Sequence, residues 1–436
     1  MPLMNVRPNR AERDRNTESA LPESSPLPPS ADVVVLGGGA AGLWAAATAA
    51  ARGRRVLLLE KNARVGVKIL ASGGGHCNLT TTLPPPALLE AFGRVGGRFL
   101  GPSVRRLPPL ALRAVFDALG VATREAELEK VWPVSNRARD VVDALVRRAK
   151  AAGVTTHLGV ACVGLDRTAD GFLVRTAFGD VHCPRVIVTV GGKSYPRAGT
   201  TGDGYPWLAA LGHTITPLVP ALAPLVVDLP WVRALTGIAE QVARVRVTAG
   251  SNTLADRRRP ILFTHTGLSG PGPMDVSKWF ELPSPGERPM LRIDFLPEIA
   301  EAVLRERLDA AIASDPAARL ARALPAEVPA RLAAALCTAV GVDVEGRAGE
   351  TPRAARHVVV RALKDVVLPV AGTRGFDFAE VTAGGVLLDE VDPATMASRL
   401  VPGLYIAGEI LDVDGPIGGF NFQAAFSTAE SAGTAV

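Results

Sequence analysis

The first part of the chain alternates between apolar runs and a stretch of small residues. Residues 32–36 are mostly Val and Leu and predict a buried strand, and residues 55–59 predict a second one in the same way. Residues 43–51 between them are rich in Ala and predict a helix, which Gly53 ends. The order of elements is therefore strand, helix, strand, as in a βαβ unit.

A glycine-rich turn, Gly37-Gly38-Gly39-Ala40-Ala41-Gly42, connects the first strand to the helix. In such a turn Gly37 allows the tight bend, Gly39 lets backbone N–H groups approach a pyrophosphate, and Gly42 permits close packing of helix on strand. The helix N-terminus then faces the phosphate charge. Glu60 ends the second strand, 18 residues after Gly42, where an acid accepts hydrogen bonds from a ribose. The unit predicts a dinucleotide site; the alternative is a turn that serves packing alone.

The rest of the chain changes character several times. A helix is predicted at 139–150, and strands are predicted at 154–157, 171–177, 181–183 and 185–190. Residues 218–295 are β-like and punctuated by Pro, whereas residues 298–340 are rich in Ala and Leu and helical. Residues 403–408 predict a further strand, followed by a turn, near the C-terminus.

These patterns predict an α/β nucleotide-binding domain that is split in sequence. Its two segments are 31–194 and 366–436, and an inserted region lies between them at 195–365. Within the insertion we expect a β part at about 213–297 and an α part at about 298–345. Residues 1–30 mix Pro, Ser, Glu and Arg, and this composition predicts a disordered tail.

Composition narrows the class of protein without fixing its partner. Hydrophobic types make up 47% and charged types 21% of 436 residues, which is ordinary for a globular protein. The formal charge of +5 permits an acidic partner, nucleic acid included, but does not require one. The four Cys show no C-x-x-C spacing, which argues against a zinc site and fits a reducing compartment. No apolar run is long enough to cross a bilayer, so we expect a cytoplasmic protein without membrane association.

Further motifs make the prediction more specific. They occupy 60–62, 66–80, 191–196, 202–205, 263–271, 381–386, 395–396, 408–409, 412–415 and 418–423. Together they resemble the BaiN-like bacterial flavoproteins, also called the aminoacetone-oxidase family of FAD-binding enzymes. The resemblance covers residues 31–436 in the same order throughout. It implies a Rossmann-type FAD-binding domain split in sequence, with an inserted β-barrel-like plus helical region.

The resemblance also implies a site for non-covalent FAD. Gly37, Gly39 and Gly42 would hold the pyrophosphate, and Glu60 the adenosine ribose. The chain from Lys61 to Asn78 would continue toward the flavin ring, and residues 418–423 would place a helix N-terminus at its pyrimidine edge. The implied cofactor-binding residues are Gly37, Gly39, Ala40, Ala41, Gly42, Glu60, Lys61, Lys68, Ser72, Gly73, Gly74, Cys77, Asn78, Gly191, Gly408, Glu409, Asp412, Gly418, Gly419, Asn421 and Gln423.

The sequence departs from the family pattern at a few positions. Val67 stands where the family usually has Lys, His76 where it has Arg, Arg399 where it has Lys, and Phe420 where it has Tyr. The change at His76 removes a permanent cation near the cofactor, so the family's contact is not carried over to this position.

Candidate catalytic residues are Cys77, His265 and Tyr195, each with a plainer alternative. Cys77 lies in a loop expected beside the flavin as a redox or acid group, or else simply fits a crowded turn. His265 could donate a proton at the flavin face, or hydrogen-bond structurally. Tyr195 follows a strand end and a glycine pair, where α/β folds collect ligands, or belongs to a solvated loop. Asp412 and Asp414 do not predict a metal, because no third carboxylate lies nearby.

The resemblance implies an FAD-dependent oxidoreductase that passes hydride through the flavin. We expect reduction of a conjugated carbon–carbon double bond in an enone-like small molecule, with NAD(P)H as a transient reductant, since the sequence shows no second dinucleotide fingerprint. Dihydrouridine formation in 23S ribosomal RNA, amine oxidation and a non-catalytic flavin-binding role are the alternatives. An RNA substrate would need cations in the insertion, with Lys193, Arg197, Arg233 and Arg257–Arg259 as candidates.

Overall fold

The computed structural model describes residues 26–283 and 286–436. Of the predicted tail, residues 1–25 lie outside the described residues. The remaining part is joined to the fold: the Pro29 carbonyl accepts a hydrogen bond from His182 N at 2.9 Å, and Ser30 forms a parallel bridge to His182. The prediction of a tail as far as residue 30 is therefore wrong at its C-terminal end.

The strands are numbered here in chain order. They are β1 (Val33–Leu36), β2 (Val56–Glu60), β3 (Thr80–Thr81), β4 (Thr123–Ala126), β5 (Lys130–Pro133), β6 (Thr155–Leu158), β7 (Cys162–Thr168), β8 (Gly171–Thr176), β9 (Val181–Cys183), β10 (Arg185–Val188), β11 (Val219–Ala221), β12 (Leu225–Val226), β13 (Ala239–Ala249), β14 (Asn252–Thr264), β15 (Gly267–Ser269), β16 (Met290–Asp294), β17 (Val366–Leu368), β18 (Gly372–Thr373), β19 (Val381–Ala383) and β20 (Leu404–Ile406).

The helices are numbered in the same way. They are α1 (Ala40–Ala51), α2 (Val67–Ala71), α3 (Pro85–Glu90), α4 (Gly93–Arg106), α5 (Pro109–Ala118), α6 (Ala138–Ala151), α7 (Gly204–Ala210), α8 (Pro230–Ala234), α9 (Pro271–Asp275), α10 (Glu301–Ser314), α11 (Ala330–Ala339), α12 (Arg353–Lys364) and α13 (Phe420–Ala435). Within residues 26–283 and 286–436, no helix is both long and apolar enough to cross a membrane.

A parallel sheet in the order β20-β10-β1-β2-β6 forms the centre of the first domain. Every residue of β1 and β2 is buried, and α1 packs against both strands, which explains why both read as continuous apolar runs. Strand β20 comes from the C-terminal segment and pairs with β10, with Val186 opposite Leu404. The predicted Rossmann-type fold is confirmed.

The inserted region is built on an antiparallel sheet in the order β17-β16-β13-β14-β15-β12-β18. Its edge strands β17 and β18 are consecutive along the chain, with only residues 369–371 between them. Because so short a connection spans at most about 14 Å, the two edges lie close together and the sheet curls like a barrel. Helices α10, α11 and α12 pack beside it and share its apolar core, which runs from Leu225 to Leu368.

The extent of this second core differs from the predicted boundaries at residues 194 and 366. Tyr205 and Leu208 of α7 pack in the core of the first domain, so the insertion begins later than residue 195. At the other end β17 and β18 still belong to the inserted sheet, so the chain returns after residue 373. The chain crosses between domains in the antiparallel pair β11–β19, which we call the connecting ribbon.

Candidate active site

The carboxyl ends of the parallel strands open into a cavity of about 610 Å³. Leu36, Glu60, Thr189 and Gly408, which end or follow β1, β2, β10 and β20, line one side of it. The connecting ribbon contributes Val381 to another part of the wall. A cleft beyond the carboxyl ends of a parallel sheet is the usual ligand site of open α/β folds, and this volume is ordinary for one.

The glycine-rich turn meets this cavity through Gly39. A Cβ built on Gly39, which lines the cavity, has nothing within 4 Å, so the missing side chain leaves open space beside the N-terminus of α1. Gly42 lies on the packed side of the same turn, where a Cβ would stand 1.7 Å from the Gly37 carbonyl oxygen. One glycine therefore leaves room for a ligand, and the other brings helix and strand together.

Glu60 holds this turn through its buried carboxylate. Oε2 accepts a hydrogen bond from Gly38 N at 2.6 Å, and Oε1 accepts bonds from Asn62 N and Asn62 Nδ2, both at 2.8 Å. A carboxylate has about four lone-pair sites, so it retains room for one more donor such as a ribose hydroxyl. Glu60 thus both shapes the turn and can bind a ligand.

Lys68 and Glu409 form an ion pair on the cavity wall. Lys68 Nζ lies 2.5 Å from Glu409 Oε2 and 3.2 Å from Ser194 Oγ. The other oxygen, Glu409 Oε1, accepts bonds from Ser194 Oγ at 2.8 Å and from Thr382 N at 3.1 Å. The network joins α2, the turn after β10, the connecting ribbon and the turn after β20, so it fixes four parts of the wall relative to one another.

Lys61 is paired in a similar way at another part of the wall. Its Nζ donates to Asp203 Oδ2 at 2.5 Å and to Thr201 Oγ1 at 2.7 Å. Burial opposes ionisation of Asp203, but the bonds from Lys61 and Thr201 outweigh it and hold the pKa of this carboxyl below its usual value. Lys61 therefore tethers the loop at residues 201–203 across the cavity.

The N-terminus of α13 also faces the cavity. Gly419 precedes the first turn with φ of 85°, and a Cβ there would stand 2.1 Å from the Thr80 carbonyl oxygen, so this close approach requires glycine. Asn421 exchanges two hydrogen bonds with the backbone of Gly415, at 2.8 and 2.9 Å, and fixes the preceding loop. Gly418, Gly419 and Asn421 line the cavity, and the helix dipole directs partial positive charge there.

Most of the implied cofactor residues share this one cavity. Those that line it are Gly37, Gly39, Ala40, Ala41, Glu60, Lys61, Lys68, Ser72, Gly73, Gly74, Asn78, Gly191, Gly408, Glu409, Gly418, Gly419 and Asn421. Gly42, Cys77, Asp412 and Gln423 do not line it.

Gln423 lies in the protein interior rather than on the cavity wall. Its Oε1 accepts a bond from Thr80 Oγ1 at 2.5 Å, and its Nε2 donates to Leu107 O at 2.7 Å. The family resemblance implies cofactor contact at Gln423, but the helix directs this side chain into the interior, toward Thr80 and Leu107. Asp412 is likewise absent from the wall, and burial is the main reason that its pKa is raised.

The catalytic candidates are placed differently from one another. Cys77 is fully buried with φ of 60°, and burial raises the pKa of its thiol to about 12, so it supplies neither a thiolate nor a ready acid. His265 is exposed in the turn between β14 and β15 and is not part of the cavity wall. Tyr195 does line the cavity. His76 is exposed, and its ring lies edge-on to Trp132.

Several cavity residues had no signal in the sequence. Trp132 and Lys130 come from β5, and Leu222, Phe378 and Glu380 lie beside the connecting ribbon. These residues are isolated in the sequence, and only the tertiary fold brings them to one wall.

The described residues fit FAD. The open space at Gly39, the two helix N-termini and the buried Glu60 carboxylate are the features that a dinucleotide requires. The family model described as the HI0933-like protein Rossmann domain matches residues 31–435. The chain belongs to this HI0933-like family. It is accordingly an FAD-dependent oxidoreductase, and the resemblance seen in the sequence motifs is confirmed.

Relatives with assigned activities match nearly the whole chain. A 3-dehydro-bile acid delta(4,6)-reductase from Clostridium scindens is 32% identical over 87% of this chain and 92% of the relative. A ribosomal RNA dihydrouridine synthase from Escherichia coli is 31% identical over 91% and 96% of the two chains. A 3-ketosteroid-delta4-(5alpha)-dehydrogenase structure from Rhodococcus jostii RHA1 is 17% identical over 93% and 96%, with a TM-score of 0.45.

Proposed function

We propose that this flavoprotein reduces a carbon–carbon double bond conjugated to a carbonyl group, with NAD(P)H as the transient reductant. The observation that carries the proposal is the continuity of the cavity. It runs from the glycine-rich turn past the N-terminus of α13 to a wall that contains Trp132, Leu222, Phe378 and Ile417. A planar, unsaturated group fits between such an apolar wall and a flavin ring, and bound FAD supplies the hydride.

The named activities of the relatives support this reaction class. One relative is named for reduction of a bile acid, and another for forming dihydrouridine in ribosomal RNA. Both reactions saturate a carbon–carbon bond that is conjugated to a carbonyl group. An acid and a cation, Glu380 and Lys130, line the same wall as Trp132, which suits a substrate with a polar carbonyl end.

The test is a two-step measurement on the purified holoenzyme without oxygen. NADH or NADPH should bleach the flavin absorbance, and a 3-dehydro-Δ4,6 bile acid added afterwards should restore it. The product should carry two additional hydrogen atoms by mass. Flavin that NAD(P)H reduces, but that only dioxygen or ferricyanide reoxidises, would contradict the proposal.

A uridine in ribosomal RNA is the second candidate substrate, and one surface favours it. Arg94, Arg98 and Arg105 of α4 are exposed, and within the described part of the chain none has a hydrogen-bond or ion-pair partner. At about 100° per residue, they fall within about 40° of one another around the helix. Such a stripe of free cations suits a phosphate backbone.

Most of the cations that the sequence suggests for RNA contacts already have partners. Arg258 is paired with Glu298 at 2.7 Å, Arg259 with Glu129 at 3.0 Å, and Arg233 with Asp228 at 2.9 Å. Arg257 donates to the carbonyl oxygen of Asp256. Of this set, the charges at 233, 258 and 259 are already balanced, whereas Lys193 and Arg197 have no ion-pair partner among the described residues. Helix α4 adds three unpaired charges on one face, so it is the better candidate for a continuous run of phosphate contacts.

A further inference from the structure

Glu380 differs from the carboxylates already described on the cavity wall. It lies immediately before β19 and lines the cavity, with its backbone N donating to Leu222 O at 3.2 Å. Glu60, Glu409 and Asp203 are each held by hydrogen bonds from neighbouring groups. Within residues 26–283 and 286–436, neither carboxylate oxygen of Glu380 has a hydrogen-bond or ion-pair partner. Its carboxyl group is therefore free to meet a ligand.

The surroundings of Glu380 raise the pKa of its carboxyl group. Its side chain is exposed within the cavity, but the protein around the cavity desolvates the charged form and raises its pKa, although Lys68 and Lys130 oppose the shift. Asp275 at the end of α9 is close enough to sense its charge. Burial raises the pKa of Asp275 to about 7, the bond from Ile417 N and the charges of Arg259 and Arg257 oppose this, and Glu380 adds to it.

Asp275 is a second acid near this part of the wall, although it does not itself line the cavity. Its Oδ1 accepts a bond from Ile417 N at 2.7 Å, and Ile417 lines the cavity. Its Oδ2 is buried without a hydrogen-bond partner among the described residues. Because the charge of Glu380 raises the pKa of Asp275, ionisation of one of these acids opposes ionisation of the other.

Lys130 supplies a cation at the same wall. It begins β5 and lines the cavity, and its ammonium group has no hydrogen-bond or ion-pair partner within the described ranges 26–283 and 286–436. An ammonium group with free donors can bind a carbonyl oxygen and stabilise the negative charge that develops there during reduction. The cavity therefore offers a carboxyl group and a positive charge on the same wall as Trp132.

We propose that Glu380 is the acid that protonates the substrate carbon, and that Lys130 binds the conjugated carbonyl oxygen. This inference rests on the proposed reduction of a conjugated double bond. The carbon–carbon π bond breaks and two C–H bonds form. One carbon receives a hydride, with its electron pair, from the cofactor that NAD(P)H has reduced, and the other carbon receives the proton of Glu380. The resulting carboxylate recovers a proton from water. The same balance applies to an enone and to the uracil ring.

The first test separates the two half-reactions in Glu380→Gln. FAD content and the rate of flavin bleaching by NAD(P)H should stay within about twofold of wild type, and so should reoxidation by ferricyanide, which needs no carbon protonation. Reoxidation by a 3-dehydro-Δ4,6 bile acid should fall about a hundredfold or more, the usual contribution of a positioned acid. Glu380→Asp should recover part of this rate. Asp377→Asn, which removes another cavity carboxylate from the same loop, is the matched control and should change little.

The second test does not depend on turnover. The side-chain carboxyl carbons of wild-type protein labelled in Glu can be followed by NMR over a pH series. One resonance should be absent from Glu380→Gln, and its titration midpoint should lie above 4.5, the ordinary pKa of Glu. The substrate step in wild type should slow as pH rises through that midpoint. A midpoint at or below 4.5, or a variant that reduces the bile acid within about threefold of wild type, would overturn the role of Glu380. Wild type that reduces no conjugated alkene would instead overturn the proposed function, while the titration would still decide whether Glu380 holds a proton.

Discussion

At the scale of single residues, Gly39 and Gly42 have opposite physical roles within one turn. A Cβ at Gly39 meets open space, whereas a Cβ at Gly42 would overlap the Gly37 carbonyl oxygen. Gly39→Ala should therefore leave the apoprotein's stability nearly unchanged. It should weaken FAD binding about tenfold or more, since losing one charge-assisted hydrogen bond costs roughly 1.5–3 kcal/mol.

Gly42→Ala should instead destabilise the apoprotein, by about 1–3 kcal/mol or more, because helix and strand must separate. Urea midpoints of the two apoproteins and FAD titrations by fluorescence provide the comparison. Equal destabilisation by both substitutions would show that Gly39 packs against protein rather than leaving room for a ligand.

Cys77 allows a second prediction at the residue scale. The thiol is buried, absent from the cavity wall, and has its pKa raised to about 12 by burial. Cys77→Ala should retain FAD and keep turnover within about threefold, because a missing proton donor would cost about a hundredfold or more. The measurement is the turnover of the FAD-loaded variant relative to wild type. A hundredfold loss with FAD bound would show that Cys77 is a catalytic candidate after all.

At the scale of elements, a buried histidine links α7 to the loop before β20. His213 Nδ1 lies 3.0 Å from Glu390 Oε2, and Nε2 lies 2.9 Å from Ser398 Oγ. Burial lowers the pKa of His213, although Glu390 opposes the shift. The folded state thus binds this proton less readily than the unfolded state does, and the free energy of unfolding should decrease as pH falls below about 6.5.

Asp275 and Glu380, whose pKa values are raised, change the free energy of unfolding in the opposite direction in wild type and variant alike. The comparison is therefore the change in urea midpoint from pH 7.5 to pH 5.5, which should be less destabilising in His213→Gln than in wild type. A single histidine contributes at most about 1.4 kcal/mol per pH unit to this slope. His157 is also buried with a lowered pKa, so it should account for part of the pH dependence that remains in His213→Gln. The exposed His265 is the control, and His265→Gln should keep the wild-type slope. The same slope in His213→Gln and wild type would contradict the prediction.

Elements with a strong local pattern could be predicted from the sequence. Strands β1 and β2 and helix α1 are specified by apolar runs and glycines within thirty residues of one another. The limits of the insertion could not be predicted in this way, because β17 is a short apolar strand that resembles one of a Rossmann sheet. Nor could Glu380 and Lys130, since a lone charged residue has no local signature of facing a cavity.

At the scale of the whole molecule, ion pairs join the inserted region to the FAD-binding domain around the cavity. Arg259 Nη2 lies 3.0 Å from Glu129 Oε2, and Lys278 Nζ lies 2.8 Å from Asp414 Oδ2. A small apolar cluster that includes Leu222, Met274 and Val381 packs at the same boundary. The cavity thus lies where two separately packed cores meet, and residues of both domains determine its shape.

The exposed arginines of helix α4 allow a test between the two proposed substrate classes. An RNA substrate should release counterions from each phosphate that Arg94, Arg98 and Arg105 contact, so log affinity should fall linearly with log salt. Replacing all three with Ala should reduce the slope by about 2–3. Arg258→Ala is the matched control, because Arg258 is exposed like them but already paired with Glu298, and it should leave the slope unchanged. The measurement is binding of a 23S ribosomal RNA fragment over a salt series. Undetectable or salt-independent binding, with normal reduction of a bile acid, would exclude RNA and leave the small enone as the substrate.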